Sequence, residues 1–178
     1  MKTGKSVLFF GLITLCVAAV FAQTEADFQT AVNKNGSVTI TKYTGWDADV
    51  TIPAKIGGKV VTAIGNGAFK ECDLTGVVIP EGVKIIGADA FEGNHLTSIT
   101  IPNSVTHIRM GAFAENPLTS ATLPANISLA DNAFDEFITD WAEKETSTSY
   151  YAINGKKAGT YTRRLGEYGY NVWKFKAR

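Results

Sequence analysis

The side chains that could carry out chemistry are few, and their spacing matches no catalytic or metal-binding pattern. His95 and His107 are the two histidines of the 178-residue chain, and they fall at different positions of two otherwise matching segments. A metal ion needs several donors that meet at one point, and no Cys/His spacing supplies them. The glycines stand at turn positions rather than in a phosphate-cradling loop. The sequence therefore predicts no metal site and no cofactor.

A catalytic triad is not indicated either. Ser98, Ser104, His107 and Asp89 include the residue types of a Ser-His-Asp arrangement, but no nucleophile elbow or related motif surrounds them. We therefore expect a protein without enzymatic activity. An enzyme with an unrecognised site is the less favoured alternative.

Residues 1–22 have the pattern of a signal peptide. Two lysines give a positively charged start, residues 7–20 are mostly apolar, and Ala22 suits cleavage before Gln23. A retained membrane anchor is the alternative, but the apolar run is short for a span and no basic stop follows it. We predict an exported protein, secreted, periplasmic or on the cell surface, with no stable membrane span after cleavage.

The two cysteines do not form a disulfide framework. Cys16 lies in the signal peptide, and a leucine precedes it where lipidation requires a small residue. Cys72 is then alone, which excludes a disulfide-stapled secreted scaffold. A packed structural thiol is favoured over a reactive one.

A repeat positions all of these side chains. Residues 74–91, 96–113 and 118–134 align column by column with a step of 22 residues, except that the last copy is one residue shorter. An earlier copy, residues 50–69, has five extra residues after Pro53. Each unit is too small to bury its own apolar face, so this period predicts a solenoid of stacked coils.

The columns of the repeat predict one short strand per coil in a parallel sheet. An L-x-x-I-x-I spacing directs apolar side chains inward, and the following proline ends the strand because it cannot donate to a ladder. An Ala-Phe pair in each copy packs the opposite wall of the coil. The inward columns are Leu74/Leu96/Leu118, Val77/Ile99/Ala121 and Ile79/Ile101/Leu123.

The repeated I-P-x-x-V-x-x-I-G-x-x-A-F motif resembles the BspA-like class of leucine-rich repeats from bacterial surface and secreted proteins. The resemblance covers roughly residues 36–138. It implies a right-handed leucine-rich-repeat solenoid, adhesion to host or bacterial surface proteins, and no catalytic residues. It also implies that Cys72, Asn94 and Asn116 occupy a column that serves backbone groups of the loops.

Both ends of the solenoid differ from the repeat. Residues 24–43 contain two β-type runs around Asn33-Lys34-Asn35-Gly36, which predicts a hairpin cap. Phe134, Phe137, Ile138 and Trp141 have helical spacing, which predicts a short closing helix. Residues 146–149 are typical of a linker, and the alternating runs of residues 150–178 predict a three-stranded meander.

The predicted fold is therefore mainly β: a leucine-rich-repeat solenoid of about four coils between a hairpin and a short helix, with a small C-terminal β module. The predicted segments are the signal peptide 1–22, the hairpin cap 23–45, the solenoid with its closing helix 46–145, and the linker with the basic and aromatic module 146–178.

The outward positions of the predicted strands are rich in hydroxyl groups. Stacked strands lie about 4.8 Å apart, so these side chains form short ladders that could bind an extended partner. A soluble strand surface without a ligand is the alternative interpretation. The candidate ligand-binding residues are Thr75, Val78, Thr97, Ser98, Thr100, Thr119, Ser120 and Thr122.

Charge separates the module from the solenoid. Residues 150–178 carry seven basic side chains and one acidic one, whereas residues 23–149 carry 8 basic and 16 acidic ones. The module could attach the protein to an anionic envelope surface; alternatively, its aromatic residues form its core, or it docks on the acidic solenoid. Nucleic acid is a poor partner for an exported protein. The candidate attachment residues are Lys156, Lys157, Arg163, Arg164, Trp173, Lys174 and Lys176.

The sequence thus predicts an adhesin-like interaction protein whose partner is an extracellular or envelope protein or glycan. A structural periplasmic module without a dedicated ligand is the alternative.

Overall fold

A computed structural model describes residues 23–130, 132–134, 157–165 and 171–177, with the backbone alone for residues 163–165 and 171–177. In these residues nearly all regular structure is β, apart from a 3-10 turn at Glu25–Asp27. The strands are β1 Phe28–Val32, β2 Val38–Tyr43, β3 Asp49–Thr51, β4 Lys55–Ile56, β5 Lys59–Ile64, β6 Gly76–Val78, β7 Ile85–Ile86, β8 Ser98–Thr100, β9 His107–Ile108, β10 Ser120–Leu123, β11 Ser128–Leu129, β12 Gly159–Leu165 and β13 Asn171–Ala177.

The predicted strands of the repeat, β3, β6, β8 and β10, form what we call the front sheet together with β12 and β13 of the C-terminal module. It consists of two ladders. One joins β3 and β6 in parallel, and the other has the order β8-β10-β12-β13. Between the ladders the coils remain connected, because the backbone N–H of His95 donates to the C=O of Leu74 at 2.8 Å. Each repeat strand ends one or two residues before its proline, as the sequence predicts.

The opposite wall of the solenoid is also a sheet, which we call the back sheet, with the order β1-β2-β5-β7-β9-β11. Its strands from β2 onward are parallel, and Ile64, Ile86, Ile108 and Leu129 follow one another in register. The sequence predicted an apolar wall here but no second sheet. Strands β7, β9 and β11 have only two residues each, which is too few for a period-two pattern to show.

A column of aromatic rings fills the space between the two sheets. Phe69, Phe91, Phe113 and Phe134 stack with centroids 5.0–5.1 Å apart and ring planes within 15° of parallel. Tyr43 continues the stack at 5.4 Å from Phe69. The inward columns are buried or, at Val77, half-buried, so the core that the repeat predicted is confirmed.

Asparagines hold the turns between coils. The side-chain oxygen of Asn94 accepts hydrogen bonds from the backbone N–H groups of Cys72 and Leu74, and its Nδ2 donates to the C=O groups of Phe69 and Phe91. Asn116 has the equivalent role one coil later: its side-chain oxygen accepts from the N–H of Leu96, and its Nδ2 donates to the C=O of Phe91. Each amide therefore links its own coil to the preceding one.

The N-terminal end carries the predicted hairpin, in which β1 pairs with β2 in antiparallel orientation. Gly36 has a φ of +81°, as the turn requires. The five extra residues after Pro53 belong to a second, smaller hairpin, β4 and β5, with Gly57 and Gly58 at its turn.

At the C-terminal end, strand β12 pairs with β10 in antiparallel orientation and β13 pairs with β12. The module thus continues the front sheet. The predicted first strand of its meander and the predicted closing helix beyond Phe134 lie outside the described residues, as does the signal peptide. In the described part of the chain, no helix has the length and apolar character that crossing a membrane demands.

Candidate binding surface on the front sheet

The front sheet presents two rows of outward residues that run across its strands. Strand pairing places Ser98 beside Ser120 and then Thr162, and Thr100 beside Thr122 and then Thr160. The residue between them in each strand points inward and is buried at Ile99, Ala121 and Tyr161. This alternation is the period of an extended strand with one face on the core.

The eight candidate residues of this face are not equally accessible. Thr75, Val78, Thr97, Ser98, Thr100 and Thr119 are exposed, whereas Ser120 and Thr122 are half-buried beside β12. The hydroxyls of Thr122 and Thr160 lie 3.0 Å apart, within hydrogen-bonding distance. Strand β12 therefore extends the hydroxyl rows to a third neighbouring strand while it lowers the exposure of the second.

Two of the predicted hydroxyls serve the connection between coils. Thr119 Oγ1 donates to the C=O of Thr97 at 3.1 Å. Thr75 Oγ1 donates to a carboxylate oxygen of Asp49 at 3.1 Å. Ser98 and Thr100, in the middle of the face, are therefore the better candidates for contacts with a partner.

The two end strands of the front sheet carry residues of opposite charge. Asp49 is exposed on β3, at the N-terminal end, and is the register partner of Gly76. On the strand at the other end, β13, the backbone positions of Lys174 and Lys176 pair with Thr162 and Thr160. Strand pairing thus places the hydroxyl rows between a strand with an acidic residue and a strand with two lysines.

The module binds the solenoid through backbone pairing and one buried ring. Tyr161 is 3% exposed, and its hydroxyl donates to the C=O of Lys157 at 2.9 Å. Intramolecular docking, one of the alternatives left open by the sequence, is therefore what the structure has. Attachment to an anionic surface stays a prediction: Lys157 is exposed, Arg163, Arg164, Trp173, Lys174 and Lys176 lie on β12 and β13, and Lys156 is outside the described residues.

The chemically versatile side chains are not brought together. Ser98 lies on the front sheet and His107 on the back sheet, while Ser104 Oγ donates to the C=O of Val83 at 2.8 Å. His95 is exposed beside Asp73, with 3.4 Å between its Nε2 and a carboxylate oxygen. Among the described residues, no three His, Cys, Asp or Glu side chains form a group that could hold a metal ion.

Cys72 is half-buried, with its Sγ 3.4 Å from the C=O of Lys70. Burial raises the pKa of its thiol, and the nearby Asp73 carboxylate adds to this effect. A raised pKa lowers the thiolate fraction, so the thiol is a weak nucleophile. This agrees with the predicted structural role.

A comparison with known families accounts for the repeat. The family model described as "BspA type leucine rich repeat region (6 copies)" matches residues 61–154, more than half of the chain. The chain belongs to the BspA-type leucine-rich-repeat family. The resemblance inferred from the repeated motif is thereby confirmed. No curated protein matches the chain.

Solved structures of bacterial leucine-rich-repeat proteins have a similar fold. A leucine-rich-repeat protein of T. pallidum is 25% identical with a TM-score of 0.57, over 63% of this chain and 55% of that one. A leucine-rich-repeat protein of Bacteroides ovatus is 27% identical with a TM-score of 0.50, over 61% of this chain and 31% of that one. The chain thus spans about half of the first of these proteins and about a third of the second.

Sequence reasoning missed the places of two aromatic residues, one buried against the solenoid and one exposed. Tyr161 was assigned to a separate module, although it packs on the solenoid. Trp46 went unremarked, although it is fully exposed just before β3. Counting back from the aligned residues Val50 and Val77 places Trp46 in the column of Asp73 and His95, which the sequence alone could have indicated.

Proposed function

We propose that this protein is an exported, non-enzymatic interaction protein that binds a protein or a glycan at the cell envelope or on a host surface. The binding surface is the outward face of the front sheet. Membership of a repeat family whose fold suits protein interaction supports the proposal at the level of the family. The position of the face on this chain supports it at the level of the residues.

One observation carries the proposal. The hydroxyl rows continue from β8 through β10 to β12, because strand β12 pairs with the edge of the sheet. In the described part of the chain, Ser98 and Thr100 in the middle of these rows are exposed. Regularly spaced hydroxyls on a rigid sheet can offer donors and acceptors to an extended ligand at little cost in conformational entropy.

The absence of a role in catalysis is supported by how the candidate groups are used. The Ser104 hydroxyl is engaged by backbone, and Ser98 and His107 lie on opposite walls of the coil. The apolar columns that make up most of the repeat are buried in the core. Ser98 and Thr100 on the front sheet are exposed and lie outside this core.

The test is capture of envelope and host-surface components by the purified protein and by two variants of equal charge. Ser98→Arg combined with Thr100→Arg places two bulky cations in the middle of the front face. Asn103→Arg combined with His107→Arg places two at exposed positions of the same coil outside that face. We expect the first variant to lose at least tenfold in retained material and the second to behave as the wild type.

Equal retention by both variants would move the binding site off the front sheet. If the wild-type protein retains nothing from any extract, the structural module without a dedicated ligand becomes the better interpretation. Saturable turnover of an envelope polymer would instead revive an enzymatic function.

A further inference from the structure

Trp46 is the largest apolar side chain exposed among the described residues, with 100% of its surface accessible. It lies in the loop between β2 and β3, immediately before the front sheet begins. A tryptophan entirely in water forgoes the stabilisation that burial of its large apolar surface would give. Its indole ring makes no contribution to the core, so the fold gives no reason for a tryptophan at this position.

The Tyr43 hydroxyl makes two hydrogen bonds to the backbone next to Trp46. Tyr43, buried in the ring stack, accepts a hydrogen bond at its Oη from the N–H of Asp47 at 3.2 Å and donates to the C=O of Asp47 at 3.5 Å. Gly45 lies so close over the Tyr43 ring that a Cβ at that position would collide with it. Trp46 therefore lies on a turn held by these contacts, while its indole ring stays in solvent.

This support replaces the asparagine of the other coils. The N–H groups of Leu74 and Leu96, three residues before the middle of their strands, donate to Asn94 and Asn116 of the following coil. Asp47 is the equivalent residue before β3, but the following coil has Cys72 in the asparagine column. The hydroxyl that distinguishes Tyr43 from the phenylalanines of the stack takes over that role.

The surroundings of Trp46 are polar and acidic. Asp47 follows it, Asp49 is exposed on β3, and Asp73 is exposed at the equivalent position of the next coil. The carboxylate of Asp49 accepts a hydrogen bond from Thr75 Oγ1, at the start of the hydroxyl face. Trp46 thus has a carboxylate residue after it in the chain, and Asp73 and then His95 follow it in its column.

We propose that Trp46 is a stacking platform for a sugar ring, and that the ligand of the front sheet is a neutral glycan. A pyranose ring has one apolar face of C–H groups and a rim of hydroxyls, which suits an indole ring flanked by carboxylate and hydroxyl oxygens. The carboxylates repel an anionic polymer at this end of the face. A protein partner would instead have to bury the ring in a pocket of its own that excludes water, and it is the competing outcome of the test.

The proposal rests on the proposed function and specifies its ligand. It is tested on an array of immobilised neutral and anionic glycans, probed with the wild type and with Trp46→Ala, Trp46→Phe and Tyr43→Phe. Met110→Ala, which removes another exposed apolar side chain, is the matched control. We expect the wild type and Met110→Ala to bind neutral glycans, Trp46→Ala to bind them at least tenfold more weakly, and Trp46→Phe to retain part of the affinity.

Tyr43 is a positioning residue, and its variant separates support from stacking. Tyr43→Phe keeps the indole but releases the turn, so we expect it to bind the neutral glycans more weakly. A higher concentration of this variant over the array should still reach the same maximum signal as the wild type. Circular dichroism of every variant establishes that it is folded.

Other outcomes would overturn the proposal. These are equal glycan binding by Trp46→Ala and the wild type, retention of anionic glycans alone, no retention on the array, or a Trp46-dependent interaction with a protein only. The Ser98→Arg and Thr100→Arg variant distinguishes the two hypotheses. If it loses binding while Trp46→Ala does not, the front-sheet function stands and the role of Trp46 fails; the reverse result leaves a tryptophan site without the front face.

Discussion

Replacement of Asn94 by alanine tests the arrangement that joins neighbouring coils. Asn94 is 2% exposed, and its side-chain oxygen accepts from the N–H groups of Cys72 at 3.1 Å and Leu74 at 3.0 Å. Its Nδ2 donates to the C=O groups of Phe69 and Phe91, both at 2.8 Å. Alanine removes all four of these hydrogen bonds at once and leaves the four backbone groups without this partner.

The expected cost follows from the number of backbone groups that lose their partners. A buried donor or acceptor left unsatisfied costs about 1–3 kcal/mol, and entry of water into the space of the amide reduces this. Four groups at the lower end of that range give about 3–5 kcal/mol. A domain of this size has a total stability of about 5–15 kcal/mol, so the loss will be large.

Urea unfolding followed by circular dichroism measures this cost, with Cys72→Ala as the matched control in the same column. The Cys72 side chain packs at the edge of the core and makes one long hydrogen bond, to the C=O of Lys70, so we expect its removal to cost about 1 kcal/mol. If Asn94→Ala and Cys72→Ala destabilise the protein equally, the amide does not join the coils and the reasoning is wrong.

Two further predictions concern the ring stack. Phe113→Ala removes a ring stacked at 5.0–5.1 Å on both neighbours and should cost about 3–5 kcal/mol; thermal unfolding like that of the wild type would contradict the assignment of the columns. Burial raises the pKa of Tyr43 above its ordinary value of 10.0. Because the unfolded chain releases this proton at lower pH than the folded one, the corresponding stability is fully present below about pH 10 and is lost as the pH rises through the folded pKa. Denaturant titrations at pH 9 and 11 should show a decline that is smaller in Tyr43→Phe; an identical decline would mean that Tyr43 is not the group responsible.

Much of the core was predictable because the repeat supplies the same information several times. Ile99 and Ile101 alone would be an ambiguous apolar run, but their recurrence 22 residues later at Ala121 and Leu123 identifies an inward column. The hairpin around Gly36 was predictable for a different reason, since its turn requires a residue that adopts positive φ readily. The candidate hydroxyl face followed from the same columns, as the positions left over by the inward ones.

Sequence by itself determined the family, the coil and the face, because these depend on local periodicity and on contacts between units a fixed distance apart. The tertiary structure alone decided where the module lies. Strand β12 pairs with β10 through backbone groups that every residue possesses, so Thr160 and Thr122 carry no sign in the sequence that they will meet. The tertiary structure also decided the exposure of Trp46, because a tryptophan beside a glycine in the sequence can be either packed or solvated. The Tyr43 hydroxyl can bind the turn next to Trp46 only once the Tyr43 ring is stacked on Phe69.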